Sequence, residues 1–237
     1  MPERKIPDSF TVIDLETTGL NPKTDKIIEI GAVRVRGGVA TEQFETLVNP
    51  GRRLEERITE LTGIHDKELQ EAPYIEAVLP KLINFIGEDI LVGHRVLFDF
   101  SFIKKAAANM NMSFEKRGID TLKLSRRFLP ELESKKLTSL CGYYGIPIKA
   151  HRAVEDAKAT AVLYEKLAEI FPDEDAYKPI PLIYKVKKEG PITQKQKERL
   201  YKLILQHKLI VDYEIDKLTK NEASRITDKI LSKYGRS

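Results

Sequence analysis

The chain has no tryptophan and one cysteine, Cys141. A lone thiol forms no internal disulfide, so a cross-linked secreted scaffold is excluded, and no Cys–His spacing of the zinc-site kind exists. No apolar run approaches the ~20 residues of a membrane-spanning helix. The opening stretch MPERKIPDS lacks the apolar segment of a secretory leader. A cytoplasmic protein with no membrane contact is the expectation. Internal repeats and low-complexity segments are also lacking, so solenoid and fibrous architectures drop out.

Apolar residues make up 41% of the 237, enough to bury a sizeable core and too many for wholesale disorder. The formal charge of +4 is unevenly spread. Residues 185–237 hold 14 Lys+Arg against 7 Asp+Glu, a net of +7, which leaves 26 against 29 in residues 1–184, a net of −3. A basic tail on a slightly acidic body suggests a polyanion as partner, against the plainer reading of a solvated helical surface.

Hydrophobic period divides the chain. FTVIDLETTGL (10–20) reads as a strand ended by Thr18-Gly19. KIIEIGAVRVRGG (26–38) reads as a second strand with Gly37-Gly38 as a hairpin turn, and ATEQFETLVNP (40–50) as a third. ITELTGI (58–64) is a short helix closed by Gly63. Ile75, Val78, Leu79, Leu82, Ile83 and Ile86 recur at helical spacing. DILVGH (89–94) is a buried strand, FDFSFIKKAAANM (98–110) a helix, and GIDTLKLSRRFLP (118–130) a strand running into a helix. LTSLCGYYG (137–145) is a short helix, and AVEDAKATAVLYEKLAEIF (153–171) a long one. Such alternation predicts an α/β body with a mixed sheet. The expected divisions are a body over 1–175, a proline-containing linker over 176–191, and a small basic two-helix unit over 192–237. In that unit Thr193 is a candidate N-cap, and Thr219 and Glu222 have capping-box spacing.

Within the first strand, Asp14 and Glu16 are two residues apart and so project to one face. Like charges held together raise each other's pKa and cost stability, and a cation resolves that conflict. Asp99 lies among Leu97, Phe98, Phe100 and Phe102, where a carboxylate needs a partner or a cation, unless it merely favours a helix start. His151 and Asp156 are five apart, too far round a helix to share a face. They converge if the histidine lies in the loop and the acid in the first turns. Alanines 153, 157, 159 and 161 would let that helix approach the sheet and bring Asp156 to Asp14. An all-carboxylate set suits hard divalent ions, Mg²⁺ or Mn²⁺. Two such ions ~3.5–4 Å apart can clamp a displacement at phosphorus, while a neutral imidazole accepts a proton from water.

DLETTGL, GHRVLFDFSFI and HRAVEDA, in this order, resemble the three motifs of the DEDDh 3′→5′ exonuclease family, with LTGI (61–64) and IDTLKLSR (119–126) adding to the match. The likeness is to the epsilon-subunit and PolC types of DNA polymerase III exonuclease domain. It implies an RNase H-like fold, with a mixed five-stranded sheet flanked by helices. It implies two Mg²⁺ or Mn²⁺ ions held by Asp14, Glu16, Asp99 and Asp156, with Asp14 bridging both, and His151 as general base. It implies that Thr17, Thr18, Leu61, Thr62 and Phe102 hold the 3′-terminal nucleotide. The implied activity releases nucleoside 5′-monophosphates from single-stranded DNA 3′ ends, with a DNA polymerase subunit as partner. RNA 3′ ends are the alternative substrate, since the chemistry at phosphorus is indifferent to the 2′-OH unless a contact reads it. A non-catalytic nucleic-acid-binding adaptor is the alternative from another class. One departure stands out: the family often has Asn where this chain has Arg95, so contacts of that Asn do not carry over.

Overall fold

The computed structural model describes residues 6–149 and 151–235. Residues 1–5 and 236–237, at the ends of the expected body and basic unit, and Ala150, beside His151, lie outside the described residues.

Three strands open the fold: β1 (Phe10–Thr17), β2 (Ile27–Arg36) and β3 (Val39–Leu47). The β2–β3 turn is tight because Gly37 and Gly38 both take positive φ, +57° and +77°. Then follow α1 (Glu56–Thr62), α2 (Asp66–Glu71), α3 (Ile75–Ile86), β4 (Leu91–Gly93), α4 (Val96–Asn109), β5 (Arg117–Asp120), α5 (Thr121–Phe128), α6 (Leu137–Tyr144) and α7 (Ala153–Ile170). A two-residue strand, β6 (Ile180–Pro181), and helices α8 (Gln194–Gln206) and α9 (Lys220–Tyr234) complete the chain.

The sheet order is β3-β2-β1-β4-β5-β6. β4 runs parallel to β1 and β5, and the remaining pairs are antiparallel. This is the mixed RNase H-like sheet expected from the sequence, with six strands in place of five. The added strand comes from the expected linker. Ile180–Pro181 pairs with the open edge of β5, and the Leu182 N–H donates to the Lys116 carbonyl at 2.8 Å. Gly118 makes room, since a Cβ there would fall 2.9 Å from a Leu182 methyl. Proline is tolerated at such an edge, where no outward donor is needed.

Alternation along β1 divides two cores. Phe10 and Val12 face α7, packing with Val33, Val35, Leu163 and Tyr164. Ile13 and Leu15 face the other way, onto α3 and α4 with Leu79, Leu82, Phe100 and Ile103. Asp14 and Glu16 therefore continue the row that faces α7.

α8 and α9 enclose a small core of their own, with Leu200, Leu203, Ala223 and Ile230. Both helices begin with capping boxes, Thr193 with Gln196 and Thr219 with Glu222. The unit touches the body at several points, among them a strap at residues 50–55, where the Arg53 N–H donates to the Asp212 carbonyl and the Glu214 N–H to the Gly51 carbonyl, each at 2.8 Å. Lys26 and Glu222 add an ion pair at 2.8 Å.

Candidate active site

Asp14 and Glu16 sit at the C-terminal end of β1, opposite Gly31 and Glu29 of β2. That pairing governs the site. A Cβ on Gly31 would lie 2.1 Å from the Ala153 carbonyl carbon, so only glycine lets the start of α7 rest on the sheet here. Ala153 and Ala157 are fully buried at the contact. Asp156, in the first turn of α7, is thereby delivered beside Asp14. One oxygen each from Asp14, Glu16 and Asp156 lies within 4.8 Å of the others.

Asp99 arrives from the other side. It is in the first turn of α4, 3% exposed, and accepts the Leu15 N–H at 3.1 Å. It stands outside the three-carboxylate group, yet among neighbouring charges it raises the Asp14 pKa most. Burial is the largest cause for all four acids. Asp14 is raised well above its ordinary value by burial, then by Asp99, Asp156 and Glu16. Glu16 is pushed up to about 7 by burial, then by Asp156 and Glu29. Burial also raises Asp99, against the N–H bonds it accepts, and raises Asp156, against the His151 N–H and the imidazole charge.

His151 lies in the loop before α7 with φ +67°, a left-handed conformation, and its side chain is exposed. Its backbone N–H donates to Asp156 Oδ2 at 2.9 Å. The loop thus converges histidine and acid by a backbone bond, which the spacing of the two residues allowed but did not specify.

The residues expected to hold a nucleotide are less uniformly placed. The Thr17 hydroxyl donates to the Gly19 carbonyl at 2.7 Å, and the Thr18 hydroxyl accepts the Lys26 N–H at 3.0 Å and a contact from Arg52. The Thr62 hydroxyl closes the end of α1 through Ile58 and Ile64. These threonine side chains hold turns. Leu61, 53% exposed, is the one of the five that offers its side chain to solvent. Phe102 is 3% exposed, 5.0 Å from the Phe98 ring, and borders a cavity beside Lys26 and Tyr74.

Arg95 caps α4 with φ +80°, donates its N–H to Asp120 at 3.0 Å and lays its guanidinium over Phe98. Asn tolerates left-handed backbone better than most residues, which is a local reason for its use at this position. The adjoining His94 is structural. Its ring bridges Thr121 and the Lys135 carbonyl, and burial lowers its pKa.

Glu29 escaped the sequence reading. It is fully buried and accepts the Ala153 N–H at 3.0 Å and Arg152 Nε at 2.9 Å. It therefore pins the first residue of the helix that carries Asp156. Its signal was present: one acid inside the apolar run IIEIGAV, on the same alternation that drew attention to Asp14 and Glu16.

The sequence matches the exonuclease family RNase_T over residues 11–164. The DNA polymerase III subunit epsilon of Aquifex aeolicus is 40% identical over 171 residues, covering 71% of this chain and 85% of that protein. The PolC-type DNA polymerase III of Caldanaerobacter subterraneus subsp. tengcongensis is 43% identical over 168 residues, 70% of this chain. The match spans only 12% of the length of that relative. In fold, the chain is similar to the nuclease domain of 3′hExo, a DEDDh family member bound to rAMP, with TM-score 0.60, 22% identity, and coverage of 69% of this chain and 93% of that one. It is also similar to the E. coli ExoI–ssDNA complex, with TM-score 0.65, 20% identity, and coverage of 72% and 42%.

Proposed function

The chain belongs to the RNase_T exonuclease family, and from that premise we propose that it is a metal-dependent 3′→5′ exonuclease that releases nucleoside 5′-monophosphates from single-stranded DNA ends. The observation that carries this reading is the trio Asp14, Glu16 and Asp156, with oxygens within 4.8 Å of one another and Asp99 alongside. Nothing in packing rewards such crowding, whereas a pure binding adaptor would be more stable without it. The polymerase subunit epsilon relative supports DNA as substrate and a polymerase subunit as partner.

The donor set fits hard divalent cations: four carboxylates, three converging and one adjacent. Asp14, Glu16 and Asp156 would hold one ion, and Asp14 with Asp99 a second. When bound, the ions neutralise charge developing at phosphorus and acidify water. The protein's own part is positioning. β1 fixes Asp14 and Glu16, the Leu15 N–H orients Asp99, and the His151 N–H orients Asp156. The exposed imidazole of His151 is free to take the proton of the attacking water and return it to solvent. Leu61, exposed at the end of α1, is the side chain offered to the terminal nucleotide.

End-labelled single-stranded DNA and RNA, digested side by side with Mg²⁺, Mn²⁺ or chelator, test the reading. Loss of mononucleotides from the 3′ end of DNA, with none in chelator, is the expected result. A chain that releases no mononucleotide with either metal is not this enzyme, and faster RNA than DNA digestion would reassign the substrate.

Glu29 is assigned as a positioning residue. Glu29→Gln should lower kcat about 10–100-fold and raise the Mg²⁺ concentration needed for half-activation, with KM little changed. Glu29→Ala should also destabilise by about 1–3 kcal/mol, because the buried Ala153 N–H loses its acceptor. A stability loss with unchanged kcat and metal dependence would reduce Glu29 to a structural prop.

A further inference from the structure

A cleft of about 540 Å³ opens between the C-terminal unit and the strap at 50–55. Its wall begins at Thr18, two residues beyond Glu16. The body contributes Lys26, Arg52 and Arg53, and α9 contributes Arg225, Lys229 and Lys233. The α9 cations recur every fourth residue, so they form one stripe along ~12 Å of helix, roughly the rise of three to four phosphates at ~3.4 Å each. Acids line the cleft too, but most are engaged. Glu222 pairs with Lys26, Glu55 with Arg57, and Glu214 accepts from the Tyr74 hydroxyl. Asp212 also borders the cleft, and Arg52 pairs with Asp25, which lies outside the lining, at 3.3 Å. Among the described residues, Arg53, Arg225 and Lys229 have no carboxylate partner. Tyr213 and the exposed Tyr234 stand in the same wall. Cations interleaved with accessible aromatic rings suit a single strand, whose phosphates and unstacked bases are both available.

We propose that this cleft binds the sugar–phosphate backbone of the single strand whose 3′ end reaches the carboxylates. The location of that end rests on the exonuclease reading. The sequence alone treats the cations of the basic unit as equivalent, whereas the fold selects the α9 stripe. Lys195, Arg199 and Lys202 of α8 are equally exposed and lie outside the cleft.

That contrast supplies the experiment. The full chain carrying Arg225→Gln, Lys229→Gln and Lys233→Gln is compared with one carrying Lys195→Gln, Arg199→Gln and Lys202→Gln. Binding of a fluorescein-labelled single-stranded 20-mer is measured in chelator across a salt series, where no cleavage occurs. The α9 variant should bind at least about 10-fold more weakly, with a log–log salt slope smaller by ~2, from three contacts at ~0.7 each. The α8 variant should stay within about 2-fold of the parent. Both should cleave a dinucleotide at the parental rate in Mg²⁺. Arg53→Gln probes the cleft from the body side and keeps the backbone N–H that bonds the Asp212 carbonyl, and should weaken binding about 2–5-fold, near the one-contact share of the α9 effect. Equal losses in the two triple variants would overturn the proposal in favour of diffuse charge. No loss in either would overturn it in favour of a protein partner for the stripe. A parent that cleaves nothing would defeat the exonuclease reading instead, and the binding comparison would still decide the cleft.

Discussion

Asp14→Asn should lower exonuclease turnover at least about 10³-fold while leaving the fold intact. The scale is that of several kcal/mol of charge stabilisation lost at phosphorus. Asp14 is pressed upon by Asp99, Asp156 and Glu16, and in the proposed arrangement it serves both ion positions. Stability in chelator should move the opposite way. Removing one of several crowded charges relieves repulsion, and each kcal/mol relieved raises Tm by about 2–4 °C in a chain of this size. The pH dependence has a definite sign. Glu16 titrates at about 7 when folded, against ~4.3 for an ordinary glutamate. Between those values the folded state binds more protons than the unfolded state, so the stability of the metal-free parent falls as pH rises from ~4 to ~7. The raised Asp14 extends that fall, and Asp14→Asn should make it shallower. Calorimetry in chelator across this window, with a parallel nuclease assay, checks both parts. Near-parental turnover in Asp14→Asn would defeat the assignment of the carboxylates to metal.

For His151 the expected loss in kcat is about 10²–10⁴-fold on replacement by alanine, the usual range for removing a general base. Binding of single strands should change little. The backbone allows a sharper comparison. His151 is held at φ +67°, where an L-residue is strained and glycine is not. Its structural contribution, the N–H bond to Asp156, survives any side-chain change. His151→Gly should therefore be as inactive as the alanine variant but melt within about 2 °C of the parent, since relief of strain offsets the greater freedom of glycine when unfolded. If the glycine variant keeps parental activity and pH profile, the imidazole takes no part in proton transfer.

Much of the site was legible because its signals are local. A period of two places Asp14 and Glu16 on one face whatever surrounds them, and the first strand formed as read. The helices carrying Asp99 and Asp156, read over 98–110 and 153–171, formed over Val96–Asn109 and Ala153–Ile170, each with its acid in the first turn. The capping boxes at Thr193 and Thr219 were equally local, each a matter of side chains three residues apart.

What the sequence could not decide depended on contacts between distant segments. Ile180–Pro181 has no strand signature, and it pairs because β5 presents an open edge and Gly118 leaves space for Leu182. Glu29 became meaningful only when Ala153, 124 residues away, settled on Gly31 and turned its N–H toward that carboxylate. The basic tail was visible as charge alone. Its docking through Gly51, Arg53, Asp212 and Glu214 turned one stripe of it toward Thr18 and left the other in solvent. Periodicity and capping are properties of neighbours in the chain and can be read from it. Which cation faces a cleft, and which buried acid meets which N–H, depends on how surfaces far apart in sequence fit together, and for this protein only the tertiary structure decided that.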